Sequence, residues 1–427
     1  MYNVLEFGAK GDGITLDSTA IQAALDACRE AGGGIVLLPG GRIYRSGSLI
    51  LYSNTELRLE SGAVLKASSD LNDFRKFADI PKEDREVPSY VNCEYDGKPA
   101  NFFIYAAGGS NIRITGFGAI DGTEEIYYGD ENPYHIEGAW YPRTPLLFIE
   151  NVQHFTVRDV TLCGSAFWTL HMVGCEDVLV EGIRILNNLR MANCDGIDPD
   201  HCRNVRIANC HIETADDCIV LKTSQAYEAY GPSENVIITG CTLVSTSAAV
   251  KIGTESESDF SNIIIDNCVI DRTNRGVSLQ LRDKGNIENV TISNLHIRTR
   301  AFSEHYWGKA EPICLTAVER HDGIPTGTIR NIKIRDITCR GENGILLYGN
   351  PRHPIENVLI ERVQVELEKT TKWDADGYDL RPCDGRGHVG DKVYGLYTAH
   401  TEGLTIRDFS VKADSSIMEW YGGERNN

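Results

Sequence analysis

The chain is short of the features that mark nucleotide-binding, nucleic-acid-binding and membrane proteins. It has no Cys-x-x-Cys pair: its 13 cysteines stand singly, and an odd number cannot close entirely into internal disulfides. Free thiols in a reduced compartment are therefore expected. No stretch approaches the roughly 20 apolar residues of a membrane span. The opening Met1-Tyr2-Asn3-Val4-Leu5 lacks the basic and apolar regions of a leader. The expected location is cytoplasmic, or secreted or periplasmic if a leader has been removed. Basic charge is also scarce, with 42 Lys and Arg against 61 Asp and Glu and a net charge of −19. That balance argues against nucleic acid or an anionic membrane as partner. Gly8, Gly11 and Gly13 lack the GxGxxG spacing and do not sit between a buried strand and a helix, so no dinucleotide loop is read there.

What the chain has is a repeat. The phrases NIRITGFGAI from Asn111, DVLVEGIRIL from Asp177, NVRIANCHIE from Asn204 and NVIITGCTLV from Asn235 share one pattern of Asn or Asp with alternating apolar residues. It continues from Asn262, Asn289, Asn331 and Asn357, and the starts at 204, 235, 262 and 289 lie 31, 27 and 27 residues apart. Each unit holds short alternating strands that cannot bury a core alone, so neighbours must stack. Leucine-rich spacing and a 3.6-residue period are both absent, which leaves an all-β parallel β-helix as the expected fold. Recurrent asparagines would form amide ladders, and Cys210, Cys241 and Cys268, at one repeat position, would line the core. Ser18–Cys28 has helical spacing and would cap the amino-terminal end of the solenoid, within a cap of about residues 1–40. One solenoid domain over 1–427 is expected, interrupted at about 70–148, 299–328 and 367–400.

Two segments concentrate carboxylates: Asn193-Cys194-Asp195-Gly196-Ile197-Asp198 and Thr214-Ala215-Asp216-Asp217-Cys218. In glycoside hydrolysis one carboxyl protonates the leaving oxygen while another activates water. The plain alternative is a solvated acidic turn. The opening FGAKGDG, the helix after it, GGGIVLLPGG, SNTELRLESGAVL, CGSAFWTLH, NCDGIDPD and ADDC together resemble the polygalacturonase family of pectin glycoside hydrolases, family 28 of the pectate-lyase-like proteins. The resemblance implies a single-stranded right-handed parallel β-helix and inverting hydrolysis without metal or other cofactor. It places the family's N-x-D motif on Asn193, Cys194 and Asp195 and its D-D pair on Asp216 and Asp217. By that resemblance Asp216 is the general acid, while Asp195 and Asp217 hold the hydrolytic water. Asp195 and Asp216 are 21 positions apart, which suits one coil. Inversion needs carboxylates roughly 6.5–9.5 Å apart. Asp198 would support the motif from behind, in a turn with Ile197 and Pro199.

The chain also departs from the family pattern. The G-H-G motif falls on Ser247-Ala248-Ala249, and R-I-K, which holds the galacturonate carboxylate, on Ser278-Leu279-Gln280. Two charge-assisted contacts, each worth roughly 1.5–3 kcal/mol, are thereby missing, so a divergent member with weakened galacturonate preference is expected. Lys251 and Arg275 are the first candidates to restore positive charge, with Arg282 and Lys284 behind them; ordinary surface pairing would explain the same residues. Asn193, Gln280, Trp168, His171 and Trp307 complete the sugar-binding candidates. The aromatic-rich interruptions would close one end of a groove and make the enzyme exo-acting, or would serve a homo-oligomer contact instead. The expected partner is an oligosaccharide or polysaccharide. A noncatalytic carbohydrate-binding β-helix and a polysaccharide lyase on the same scaffold remain as other readings.

Overall fold

Strand alternation and positive-φ asparagines build each coil of this protein. A computed structural model describes residues 1–77, 101–132, 136–138, 143–304, 306–385 and 387–426; Tyr134, His135, Trp140, Tyr141 and His305 lie outside them. The chain divides into two compact units, Met1–Ala215 and Asp216–Asn427. Apart from the helix Ser18–Glu30 and short 3-10 turns, the described residues form strands and loops, the strands pairing almost entirely in parallel. The fold is the parallel β-helix. No described helix is long and apolar enough to cross a membrane.

In the first unit, Gly34–Leu38, Thr55–Leu59, Ser110–Gly116, Gln153–Arg158, Glu176–Glu181 and Arg203–Ala208 stack as one parallel run. A further run is formed by Leu49–Leu51, Ile104–Ala107, Leu147–Glu150, Leu170–Val173 and Ile197–Asp200. Its period of two separates the faces. Ile104, Leu147, Leu170 and Ile197 stack in one row, whereas Tyr105, Phe148, His171 and Asp198 stack in the row that points the other way, away from the aliphatic core. The second unit repeats this in Ile219–Thr223, Ala248–Ser256, Arg275–Leu281, Ile313–Ala317 and Ile345–Tyr348. There Val250, Val277 and Ile313 are the core row and Lys251, Ser278 and Cys314 the outward one.

Asparagine leads the repeat because it tolerates the left-handed turn and carries an amide that reaches the next coil. Asn235, Asn262, Asn289, Asn331 and Asn357 all have φ between 57° and 59°. Their amides bond in series at 3.1, 3.4, 3.3 and 2.7 Å. Cys210, Cys241 and Cys268 are buried free thiols, as the repeat implied. The helix extends two residues past the expected Cys28 and buries Ile21, Ala24, Leu25 and Cys28, an i, i+3, i+4, i+7 stripe. The glycine-rich loop before it folds around a carboxylate: Asp17 accepts from the N–H groups of Lys10 and Gly11 at 2.7 and 2.9 Å. Gly11 has φ 59°, and a Cβ there would stand 2.9 Å from both Arg42 and Tyr44.

The three expected interruptions are less irregular than their sequence. Ile104–Ala107, Ser110–Gly116 and Ala119–Asp121 form coil strands inside 70–148, Ile313–Ala317 lies inside 299–328, and Val393–Ala399 inside 367–400. Most of these, such as ICLTA and VYGLYTA, belong to the run that carries no ladder asparagine, so the repeat phrase misses them.

Candidate active site

Asp195 sits in the turn that feeds the strand Ile197–Asp200 in the first unit. The turn is braced on its main chain. Asn187 Nδ2 donates to Thr169 Oγ1 at 2.8 Å and to the Cys194 carbonyl at 3.0 Å, and the Thr169 N–H donates to the Asp195 carbonyl at 2.8 Å. Thr214 Oγ1 also donates to the Cys194 carbonyl. Arg143, fully buried, donates to Asn193 Oδ1 at 2.8 Å and to the carbonyls of Ala166 and Ala192 at 2.9 and 2.5 Å. Asp195 itself is buried. Asn193 is half-buried at φ 55° and is held by Arg143, so its amide serves the turn.

His171 and Asp198 are neighbours in the outward row of the first unit, and both are fully buried. His171 Nε2 lies 3.3 Å from Asp200 Oδ2, and its ring meets those of Trp168 and Phe148 edge-on at 4.9 and 5.0 Å. Trp168 is buried as well. These candidates thus cluster, but as a packed wall in which His171 presents no surface to a sugar. Phe77, Phe102, Tyr105 and Phe148 continue the wall.

In the second unit, Asp216 and Asp217 precede the outward strand Ile219–Thr223. Asp216 is half-buried and accepts from the Asp217 N–H at 3.0 Å; Ser245 Oγ holds its carbonyl at 2.6 Å. Asp217 is fully buried. Its Oδ1 accepts from Ser247 Oγ at 2.9 Å and the Ala248 N–H at 3.1 Å, and its Oδ2 from Lys251 Nζ at 2.6 Å. Burial works to raise the Asp217 carboxyl, but Lys251, Lys222 and the Ser247 hydroxyl outweigh it and leave the group below the ordinary aspartate value. Asp216 and Asp217 have the donor chemistry for a hard cation, yet the Lys251 ammonium already occupies that position at Asp217.

Lys222 pairs with Glu255 at 3.2 Å, and Arg320 with Asp283 at 2.9 Å. Burial tends to raise Glu255, while Lys222, Arg320 and Lys251 together bring it down to about 2. Of the residues expected to replace lost charge, only Lys251 reaches a catalytic candidate. Lys284 pairs with Glu228 at the surface, at 2.6 Å. Arg275 and Arg282 are buried and turn away to hold a loop. Arg275 bonds Glu311 at 3.3 Å and the Asp379 carbonyl at 2.6 Å; Arg282 bonds the carbonyls of Leu380, Pro382 and Thr316 at 2.6, 2.7 and 3.2 Å. The anchored segment Tyr378–Pro382 lies over the outward side of the strands Ile313–Ala317 and Ile345–Tyr348, where Tyr378 and Leu380 pack on Cys314 and Leu346. Gln280, next to Thr316 in register, is buried, and among the described residues its Nε2 and Thr316 Oγ1 have no hydrogen-bond partner. Trp307 is exposed on the same unit.

Sequence reading missed Arg143, Asn187, Lys222 and Glu255. Arg143 lies in an interruption, where no repeat position marks it. Lys222 and Glu255 could have been found by strand parity, since they belong to outward strands next to the Asp-Asp segment.

The chain matches the family described as Glycosyl hydrolases family 28 over residues 89–377, and residues 1–92 match one described as Rhamnogalacturonase A/epimerase, pectate lyase-like. A "Probable polygalacturonase" of Vitis vinifera is 30% identical over 263 residues, covering 59% of this chain and 51% of its own, so the match spans about half of that relative. An "Endo-polygalacturonase" of Pectobacterium carotovorum subsp. carotovorum is 27% identical over 378 residues, covering 84% and 87%. Among solved structures, a hyperthermoactive exopolygalacturonase from Thermotoga maritima superposes with a TM-score of 0.74 at 20% identity, covering 96% of this chain and 91% of that one. At that identity the likeness is one of fold.

Proposed function

Because the chain belongs to family 28 of the glycosyl hydrolases, we propose that it is an inverting, exo-acting glycoside hydrolase that removes a terminal sugar from pectin-related or other plant oligosaccharides. In this reading Asp216 donates its proton to the glycosidic oxygen as the bond to the anomeric carbon breaks. A water held by Asp195 and Asp217 attacks that carbon from the opposite face and gives up its proton to the carboxylate pair. Asp195 enters this set through the N-x-D motif that the family resemblance places on Asn193, Cys194 and Asp195, 21 positions before Asp216.

The observation that carries the reading is the Asp216–Asp217 pair, in which one carboxylate is buried and fixed by three donors while its neighbour stays half-open. Terminal action is supported by the segment Tyr378–Pro382. It covers the outward strands beginning at Ile313–Ala317, three coils beyond the strand that follows Asp217, on the order of 14 Å at the spacing of paired strands. An uncharged terminal sugar is supported by the fate of the cations. Lys222, Lys251, Arg275 and Arg320 already have carboxylate partners, and a uronate would have to compete for them. Relatives named as polygalacturonases favour a second reading, a terminal galacturonate. The buried free thiols support a reducing compartment, with the cytoplasm as the proposed location.

The test is a time course on pectic, rhamnogalacturonan and neutral plant oligosaccharides, with products separated by chromatography and their anomers read by NMR. One uncharged sugar released with inverted configuration is the expected result. Release of galacturonate alone would give the second reading, mid-chain cuts would remove terminal action, and saturable binding without turnover would leave a recognition module. An unsaturated product absorbing in the ultraviolet would make the protein a lyase.

A further inference from the structure

The outward face of the second unit sorts its cations with some care. A buried lysine, a half-buried one and two buried carboxylates stand close enough to influence one another, yet Lys222 goes to Glu255 at 3.2 Å and Lys251 to Asp217 at 2.6 Å. Lys251 comes from the strand Ala248–Ser256, one coil beyond Asp217, and reaches back across the register that pairs it with Val220. Its side chain is 14% exposed and that of Asp217 only 1%. Ala248, which precedes Lys251 on the same strand, contributes only its backbone N–H to Asp217.

We infer that Lys251 is a positioning residue for hydrolysis: it holds the Asp217 carboxylate in one orientation, as the ionised acceptor of the attacking water's proton. The inference rests on the hydrolase reading and adds a division of labour to it. Both Asp217 oxygens accept donors, so the carboxylate cannot rotate without breaking a charge-assisted bond. A negative charge fixed on Asp217 disfavours a second one on adjacent Asp216, which therefore keeps the proton it must give away. One lysine thus separates a base from an acid in consecutive residues. The groups facing Asp217 within this unit are Lys251, Lys222, Ser247 and its chain neighbour Asp216, with Glu255 and Arg320 in the charge network beyond.

The experiment compares wild type, Lys251→Met and Lys251→Arg. It reads the pH profile of kcat/KM on whichever oligosaccharide the wild type turns over, and follows the Asp217 carboxyl by NMR titration of carbon-labelled aspartate. A base is active above its pKa and fails as pH falls through it, so removing the cation must move the acidic limb to higher pH. Expected for Lys251→Met are a kcat lower by about tenfold or more, a KM within about threefold, and an acidic limb and Asp217 titration raised by about one unit. Lys251→Arg should return both to near the wild-type position. An unchanged limb or titration in Lys251→Met overturns the inference. Should that variant not fold, an Asp217 titration in the wild type at or above the ordinary 3.8 overturns it as well. A wild type without turnover defeats the hydrolase reading, while the NMR titration still decides the role of the lysine.

Discussion

The two units cover the outward faces of equivalent strands by opposite means. In the first, Phe77, Phe102, Tyr105, Phe148 and Trp168 form an aromatic wall around His171, with Tyr105 and Phe148 stacked at 5.7 Å. In the second, the outward positions of the strands Ile219–Thr223, Ala248–Ser256 and Arg275–Leu281 carry Lys222, Lys251, Ser278 and Gln280, served by ion pairs and carbonyl-bound arginines, and only further on do Tyr378 and Leu380 close the face over Cys314 and Leu346. Aromatic burial is non-directional and indifferent to pH. Buried ion pairs cost desolvation and return orientation. The first unit thus packs its outward row with non-directional contacts, and the second aims charge, with Lys251 directed at Asp217.

The largest effect that would sharpen this contrast is on turnover. Asp216→Asn should lower kcat by roughly 10²–10⁴ and leave sugar binding, measured by calorimetry, near wild type; full turnover would reject Asp216 as the acid. Next comes a matched pair of stability changes. Phe148→Ala should cost about 3–5 kcal/mol in denaturant unfolding at any pH, as a cavity does. Arg275→Met should cost a similar ~3–5 kcal/mol at pH 7, by stranding the buried Glu311 and taking a positive charge from beside Asp379. Burial tends to raise Asp379, while Arg381 and Arg275 hold it below the ordinary aspartate value. Without Arg275 the Asp379 carboxyl rises, so the Arg275→Met penalty should shrink as pH falls and that carboxyl takes up a proton earlier than in the wild type. Equal pH dependence in the two variants would break the comparison. The smallest effect belongs to Trp307→Ala, an exposed aromatic of the second unit. A rise in KM equivalent to ~0.5–1.5 kcal/mol, with kcat and unfolding unchanged, would make Trp307 a sugar platform.

The fold was legible because a ladder demands the same residue at the same place in every coil. Asn262 must sit where Asn235 sits if their amides are to meet at 3.1 Å, and that constraint appears in the sequence as a repeat. The carboxylate segments were legible through local spacing and resemblance. Contacts between coils were not. Lys251 and Arg275 both flank motif positions, but only the strand register shows that one reaches Asp217 and the other turns to Asp379. Arg143 lies 50 residues from Asn193, in a stretch whose sequence has no period, and nothing local announces their contact.

The lock on the segment Tyr378–Pro382 has a consequence for how this protein can change. Arg282 grips it through the carbonyl oxygens of Leu380 and Pro382, and Arg275 through that of Asp379. Carbonyls are common to all residues, so the clasp does not depend on which side chains Leu380 and Arg381 carry. The main-chain clasp therefore survives a change of side chain at Arg381 or Leu380, whereas the apolar seat under the segment still asks for a Tyr378 and a Leu380 that fill the space over Cys314 and Leu346.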